Sequence, residues 1–207
     1  MPSKSLPINP KSVLFLHEGY TEEEFFDKIF KLKIPPRSIR IRKRNLLGNW
    51  NINSKVANAI DTHLHKFPDE NEIHVIIAID REGNRNTGLS INLDLIKSKL
   101  KNNKRIKSYN LIVATIDIES WFFIDISNIY RFLKITPMNR DIVKYEQFEK
   151  FDNYALSALF KKHGQIYQKR QKVDRFIDYL DLNKIYNTSI DLKNGIEIIK
   201  KLCARIS

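Results

Sequence analysis

Val13-Leu14-Phe15-Leu16-His17-Glu18-Gly19-Tyr20-Thr21-Glu22 decides the fold. A short run of apolar residues with no alternation reads as a strand buried on both faces, which is the habit of parallel sheets covered by helices. The acid and glycine that follow mark the end of the strand. Thr21-Glu22-Glu23-Glu24 then has capping-box spacing, with Thr21 as N-cap and Glu24 at the third helical position. Phe25, Phe26, Ile29 and Phe30 give the ensuing helix one apolar face, and Pro35-Pro36 ends it.

The same alternation continues outward. Ser38–Arg44 has period two, with Ile39 and Ile41 on one side and Arg40, Arg42 and Arg44 on the other. Val56, Ile60 and Leu64 make one row of a helix over Ser54–Lys66. Ile73–Ile79 is a second continuously apolar strand, Leu89, Leu93, Ile96 and Leu100 mark a helix, and Tyr109–Ile116 is another strand. Strands alternating with helices predict an α/β fold, Rossmann-like in outline, with a mainly parallel central sheet flanked by helices. After residue 118 the pattern is helical. Glu119–Phe132 forms one helix or two short ones, and Leu192, Ile196, Ile199 and Leu202 carry clear helical spacing, as do Val173, Phe176, Ile177 and Leu180. The reading gives a loose arm over 1–11 with three prolines, an α/β core over 12–126 and a helical extension over 127–207 packed on the core.

Composition narrows the function. The chain of 207 residues has a net charge of +12 and 42% hydrophobic residues, enough for a substantial core. The positive balance favours a phosphate polymer as partner. A single cysteine, Cys203, excludes an internal disulfide and any cysteine-based zinc site, and its apolar helical position predicts a buried thiol. No histidine pair has zinc spacing, no Gly-x-x-x-x-Gly-Lys motif supports a P-loop, and no Gly-x-Ser-x-Gly elbow is present. The chain lacks a signal-peptide segment and any apolar run long enough to cross a bilayer, so the expectation is a cytoplasmic protein without membrane contact.

Acidic residues fall where the strands end. Glu18 follows the first, Asp80-Arg81-Glu82-Gly83 follows Val75–Ile79, and Asp117-Ile118-Glu119 follows Leu111–Ile116. Carboxylates at the mouths of parallel strands sit in the crevice where open α/β sheets bind ligands, and they suit hard divalent cations. Asp80 and Glu82, two apart, point the same way in extended backbone. The expected metal set is Glu18, Asp80 and Glu82, binding Mg2+ or Mn2+, with Glu119 adding a ligand or orienting water. Asp125, six residues beyond Glu119, faces away from it on a straight helix. Arg40, Arg42 and Arg44, with Arg81 and Arg85 beside the acidic turn, are candidate phosphate contacts. Each has a plainer reading: the arginine row as a solvated or charge-protected edge strand, Asp80–Asn84 as a polar turn, and Glu22–Glu24 as helix-dipole compensation.

This arrangement resembles the TOPRIM domain of topoisomerases, primases, recombination proteins and overcoming-lysogenization-defect nucleases. That family has a glutamate and glycine after its first strand, matched by Glu18-Gly19, and an aspartate-x-aspartate after a later strand, where this chain has Asp80-Arg81-Glu82. The glutamate at position 82 departs from the pattern and lengthens the ligand arm. Glu18-Gly19-Tyr20-Thr21-Glu22 and Ile118-Glu119-Ser120-Trp121-Phe122-Phe123-Ile124-Asp125 are similar to a family of uncharacterised bacterial TOPRIM-like proteins, over most of residues 12–126. The resemblance implies magnesium-dependent cleavage of DNA or RNA, in antiviral defence, beside an SMC-like or AAA-type ATPase, with a homo-oligomer left open. It also implies a lysine near the acids, for which Lys169 and Lys172 are the candidates, Lys172 as the catalytic one. The alternative is a non-catalytic nucleic-acid- or partner-binding module that keeps the fold.

Overall fold

The structure, a computed structural model, describes residues 11–48, 50–81, 91–167 and 174–204. Four strands, β1 (Lys11–His17), β2 (Arg40–Asn45), β3 (Glu72–Asp80) and β4 (Ile106–Ala114), form one all-parallel sheet in the order β2-β1-β3-β4. Helices α1 (Tyr20–Lys33), α2 (Ile52–Lys66) and α3 (Leu93–Lys99) connect them in turn. The rest of the described chain is helical: α4 (Ile118–Phe122), α5 (Ile126–Phe132), α6 (Asn153–Lys162), α7 (Asp174–Ile177), α8 (Leu182–Thr188) and α9 (Ile190–Ala204), with short 3-10 turns between. This is an α/β, Rossmann-like fold, as the alternation predicts.

Period two splits the core into two layers. Val13, Phe15, Ile76, Ala78, Ile112 and Ala114 point to the side covered by α1 and the C-terminal helices. Leu14, Leu16, Val75, Ile77 and Ile79 point to the side covered by α2 and α3. On the first side Phe15 packs against Phe26 and Phe30, with ring centroids 4.7 and 4.9 Å apart. Burying each such ring contributes roughly 1.5–3 kcal/mol. The 127–207 segment supplies much of this layer, and the boundary drawn near residue 126 falls within α5, so extension and sheet share a single core.

Several local expectations shift. Lys11, assigned by composition to the 1–11 arm, belongs to β1 and is buried, its ammonium donating to Leu202 O at 3.0 Å. The cap of α1 is Gly19, two residues before Thr21, and Glu22 rather than Glu24 stands three residues on from it. The reason is steric. Glu22 folds its carboxylate back to within 2.8 Å of where a Cβ on residue 19 would sit, an approach that only glycine allows. Glu119–Phe132 is two helices broken by a 3-10 turn at Phe123–Asp125. Cys203 is buried in α9, as its spacing predicts.

Candidate functional site

The strand order places a topological switch between β1 and β3. From β1 the chain moves outward to β2, then returns past β1 to β3 and continues to β4. The connections leaving β1 and β3 therefore diverge, α1 onto one face and α3 onto the other. Ligands of open α/β sheets bind in the crevice that such divergence opens at the carboxyl ends of the strands. Glu18 and Asp80 stand at those two ends.

The pair meets. Asp80 N–H donates to Glu18 Oε1 at 3.3 Å, and Ile118 N–H donates to Asp80 Oδ1 at 3.1 Å. Ile118 opens α4, so its amide has no acceptor inside the helix, and Asp80 takes it from a neighbouring strand end. Both carboxylates are buried. Glu22, set aside in the sequence as a dipole-compensating residue, is buried too, and it lines a cavity of about 10 Å³ with Asp80, Ala78, Ile118 and Trp121. The clue in the sequence is its distance of three from Gly19, the spacing of a carboxylate that reaches back over the helix start.

Beside the pair, His17 is fully buried. Its Nδ1 lies 2.9 Å from Gly19 O, so Nδ1 carries the proton that the carbonyl accepts. Burial pushes its pKa below the ordinary imidazole value, which keeps the ring neutral at pH 7.

Glu119 occupies a different environment. It has no solvent exposure, and Tyr167 donates its hydroxyl to Glu119 Oε1 at 2.8 Å. Burial and the adjacent Glu119 charge hold the Tyr167 pKa well above the phenol range, so the hydroxyl stays a donor. The break after α4 turns Asp125 toward α8, where it accepts Asp181 N–H at 2.7 Å and lies 3.6 Å from the Lys184 ammonium. Asp117 is structural: its oxygens accept from Ser120 N and Asn153 N, at 3.2 and 2.8 Å. Trp121 is core, as expected.

The arginine row divides. Arg42 is half-buried, donates through Nε to Glu70 Oε1 at 2.8 Å and stacks on Phe67 with its guanidinium carbon 3.4 Å from the ring centroid. Arg40 reaches the same oxygen at 3.5 Å. These two therefore serve Glu70, a buried carboxylate whose other oxygen accepts from Ser12 Oγ at 2.6 Å and pairs with His63 Nε2 at 2.9 Å. Arg44, further along β2, is exposed at the end of the sheet that carries Glu18, and Arg81, directly after Asp80, is exposed as well. Glu82, Arg85, Lys169 and Lys172 lie outside the described residues.

Two carboxylates at one crevice suit magnesium, which binds through one or two carboxylates and keeps several waters. Among the described residues, no group of three or more histidine, cysteine, aspartate or glutamate side chains is arranged to hold a metal ion. No described helix is long and apolar enough to cross a membrane. No protein-family model, curated protein or solved structure matches the chain.

Proposed function

We propose that the chain is a TOPRIM-like, metal-dependent nuclease that hydrolyses phosphodiester bonds of nucleic acid. The observation that carries this reading is the Glu18–Asp80 contact at the switch point of the sheet. Glu18 and Asp80, joined by Glu82 two residues further along the chain, would hold Mg2+ or Mn2+, which when bound supplies charge neutralisation at the scissile phosphate. The Asp80 and Ile118 amides fix one oxygen of each carboxylate and so orient both groups before substrate arrives. Where Glu18 is not itself a metal ligand, it would serve as the base that accepts a proton from the attacking water. Arg81 and Arg44, exposed beside the crevice, contact the phosphate backbone. Lys172 has the role of stabilising developing phosphate charge, by resemblance alone. The defence setting, the ATPase partner and the cytoplasmic location belong to the same proposal.

The test is cleavage of single- and double-stranded DNA and RNA in Mn2+ by the wild-type chain and by Glu18→Gln and Asp80→Asn, with and without a candidate ATPase. Undiminished cleavage by both variants refutes the assignment. Anomalous scattering from a manganese-soaked crystal is the structural counterpart, with a peak expected beside Glu18 and Asp80.

A second reading is favoured by the glutamate at position 82, where the TOPRIM pattern has aspartate. In it the chain binds nucleic acid or a partner without turnover. It predicts salt-dependent binding that EDTA leaves unchanged. A gel-shift titration with and without EDTA separates the two.

A further inference from the structure

The connection from β2 to α2 runs beside Glu18 and is braced against it. Leu46 N–H donates to His17 O at 2.8 Å and Gly48 N–H to Glu18 O at 2.7 Å. Leu47 N–H donates to Asn45 Oδ1 at 2.8 Å, and the Lys55 ammonium donates to Leu47 O at 2.9 Å and Gly48 O at 3.1 Å. Leu47, Gly48 and Asn51 all have positive φ, at 55°, 93° and 53°. Glycine adopts that region freely and asparagine tolerates it, but for leucine it is strained.

This cross-braced loop holds two large apolar side chains in water: Leu47 is 68% exposed and Trp50 80%. Two residues beyond Glu18, Tyr20 is 50% exposed at the start of α1. Scattered exposed apolar residues are ordinary. Three that lie within two residues of Glu18 or of Gly48, which bonds the Glu18 carbonyl, two of them on a strained loop, form a recognition surface. The exposed cations around it, Arg44 and Arg81, and the net charge of +12 select an anionic partner. Flat aromatic faces beside cations match unpaired nucleobases on a phosphate backbone, where rings stack on bases and cations follow the phosphates. Bases inside a duplex present no free face.

We propose that Trp50 and Tyr20, with Leu47 between strand and loop, form a shelf on which unpaired bases of single-stranded nucleic acid stack beside the Glu18–Asp80 pair. This rests on the nucleic-acid reading above and narrows its substrate to unpaired strands. The chain has two tryptophans, and the second, Trp121, is 2% exposed, so fluorescence accessible to acrylamide reports Trp50. The full chain is titrated in EDTA with an oligonucleotide about 12 nucleotides long, within the footprint of single-strand binders, and with its duplex. The single strand is expected to shield Trp50 from acrylamide. By anisotropy of the labelled oligonucleotide, Trp50→Ala is expected to bind about tenfold more weakly, with Trp50→Phe recovering part of the loss. Wild-type affinity in Trp50→Ala, or equal shielding by the duplex, overturns the shelf and leaves it to another partner such as a protein. Cleavage in Mn2+ is scored separately. Shielding without cleavage removes the nuclease reading and keeps the shelf, whereas cleavage with Trp50 unshielded does the reverse.

Discussion

Asp80 does two things that one pair of substitutions can separate. Its Oδ1 accepts the Ile118 amide at 3.1 Å, and its charge stands beside Glu18. Asp80→Ala removes both. The Ile118 amide is then a buried donor with no acceptor, which costs about 1–3 kcal/mol. For a chain of this size each kcal/mol lowers Tm by about 2–4 °C, so the alanine variant should melt roughly 2–12 °C lower. Asp80→Asn keeps an oxygen for Ile118 and loses only the charge. The charge-assisted part of that bond is worth about 1 kcal/mol, and relief from the neighbouring Glu18 charge offsets some of it, so Tm should stay within about 4 °C of wild type. Cleavage behaves differently. A carboxylate that holds a catalytic cation contributes several kcal/mol at the transition state, so Asp80→Asn should lose about 10²-fold or more in rate. The measurements are a melting curve and initial rates in Mn2+ on the same preparations. An asparagine variant that melts normally and cleaves like wild type would refute the catalytic role and leave Asp80 as a helix-capping residue.

Tyr167→Phe deprives the buried Glu119 carboxylate of the 2.8 Å hydroxyl donor, and urea denaturation should show a loss of about 1–3 kcal/mol. The Mn2+ concentration dependence of cleavage should stay unchanged, and a shifted dependence would place Glu119 in the metal site. Gly195→Ala in α9 sets a Cβ 2.3 and 2.5 Å from Ile112 Cγ1 and Cδ1. Overpacking of about 1–3 kcal/mol outweighs the gain in helix propensity of about 1 kcal/mol, so stability should fall. Adding Ile112→Ala should cost less in that background than alone, and additive losses would contradict the clash. Stability should also fall as pH drops. Burial depresses His63 below its ordinary 6.5 despite the Glu70 charge, so below that pH the unfolded chain takes a proton that the folded chain refuses. Burial raises Glu70, but Ser12 and Arg42 more than offset it and leave its pKa below the ordinary 4.5. Its contribution is thus complete above that value and lost as pH falls through the lowered one. The urea midpoint should decline from pH 7.5 toward 4, less steeply in His63→Asn; a midpoint that rises on acidification contradicts both assignments.

The sheet was legible because buried parallel strands write themselves as unbroken apolar runs, and Val13–Leu16 and Val75–Ile79 do so. An acid follows each run within two residues, but it is the strand order of the structure, with β1 beside β3, that brings Glu18 to Asp80. What stayed hidden depends on partners distant in sequence. The period-two row Arg40, Arg42 and Arg44 reads as one surface, yet Glu70, 28 residues beyond Arg42, takes the first two. Glu119 follows a strand end as Asp80 does, and only the position of Tyr167, 48 residues later, shows it sequestered. The start of α1 misled because Thr21-Glu22-Glu23-Glu24 satisfies the capping pattern in isolation, whereas packing buries Thr21 and turns the chain at Gly19.

Buried carboxylates stand at both ends of the sheet. Glu70, near the start of the strands, is satisfied by a hydroxyl, an imidazole and two guanidinium groups that neutralise it, an arrangement suited to holding a fold. At the far end, backbone amides hold Glu18 and Asp80. The basic surface follows the same division. Within the period-two row Arg40 and Arg42 are drawn to Glu70, whereas Arg44, like Arg81, is exposed at the end of the sheet that carries Glu18 and Asp80, where the proposed phosphodiester chemistry would need a cation beside the phosphate.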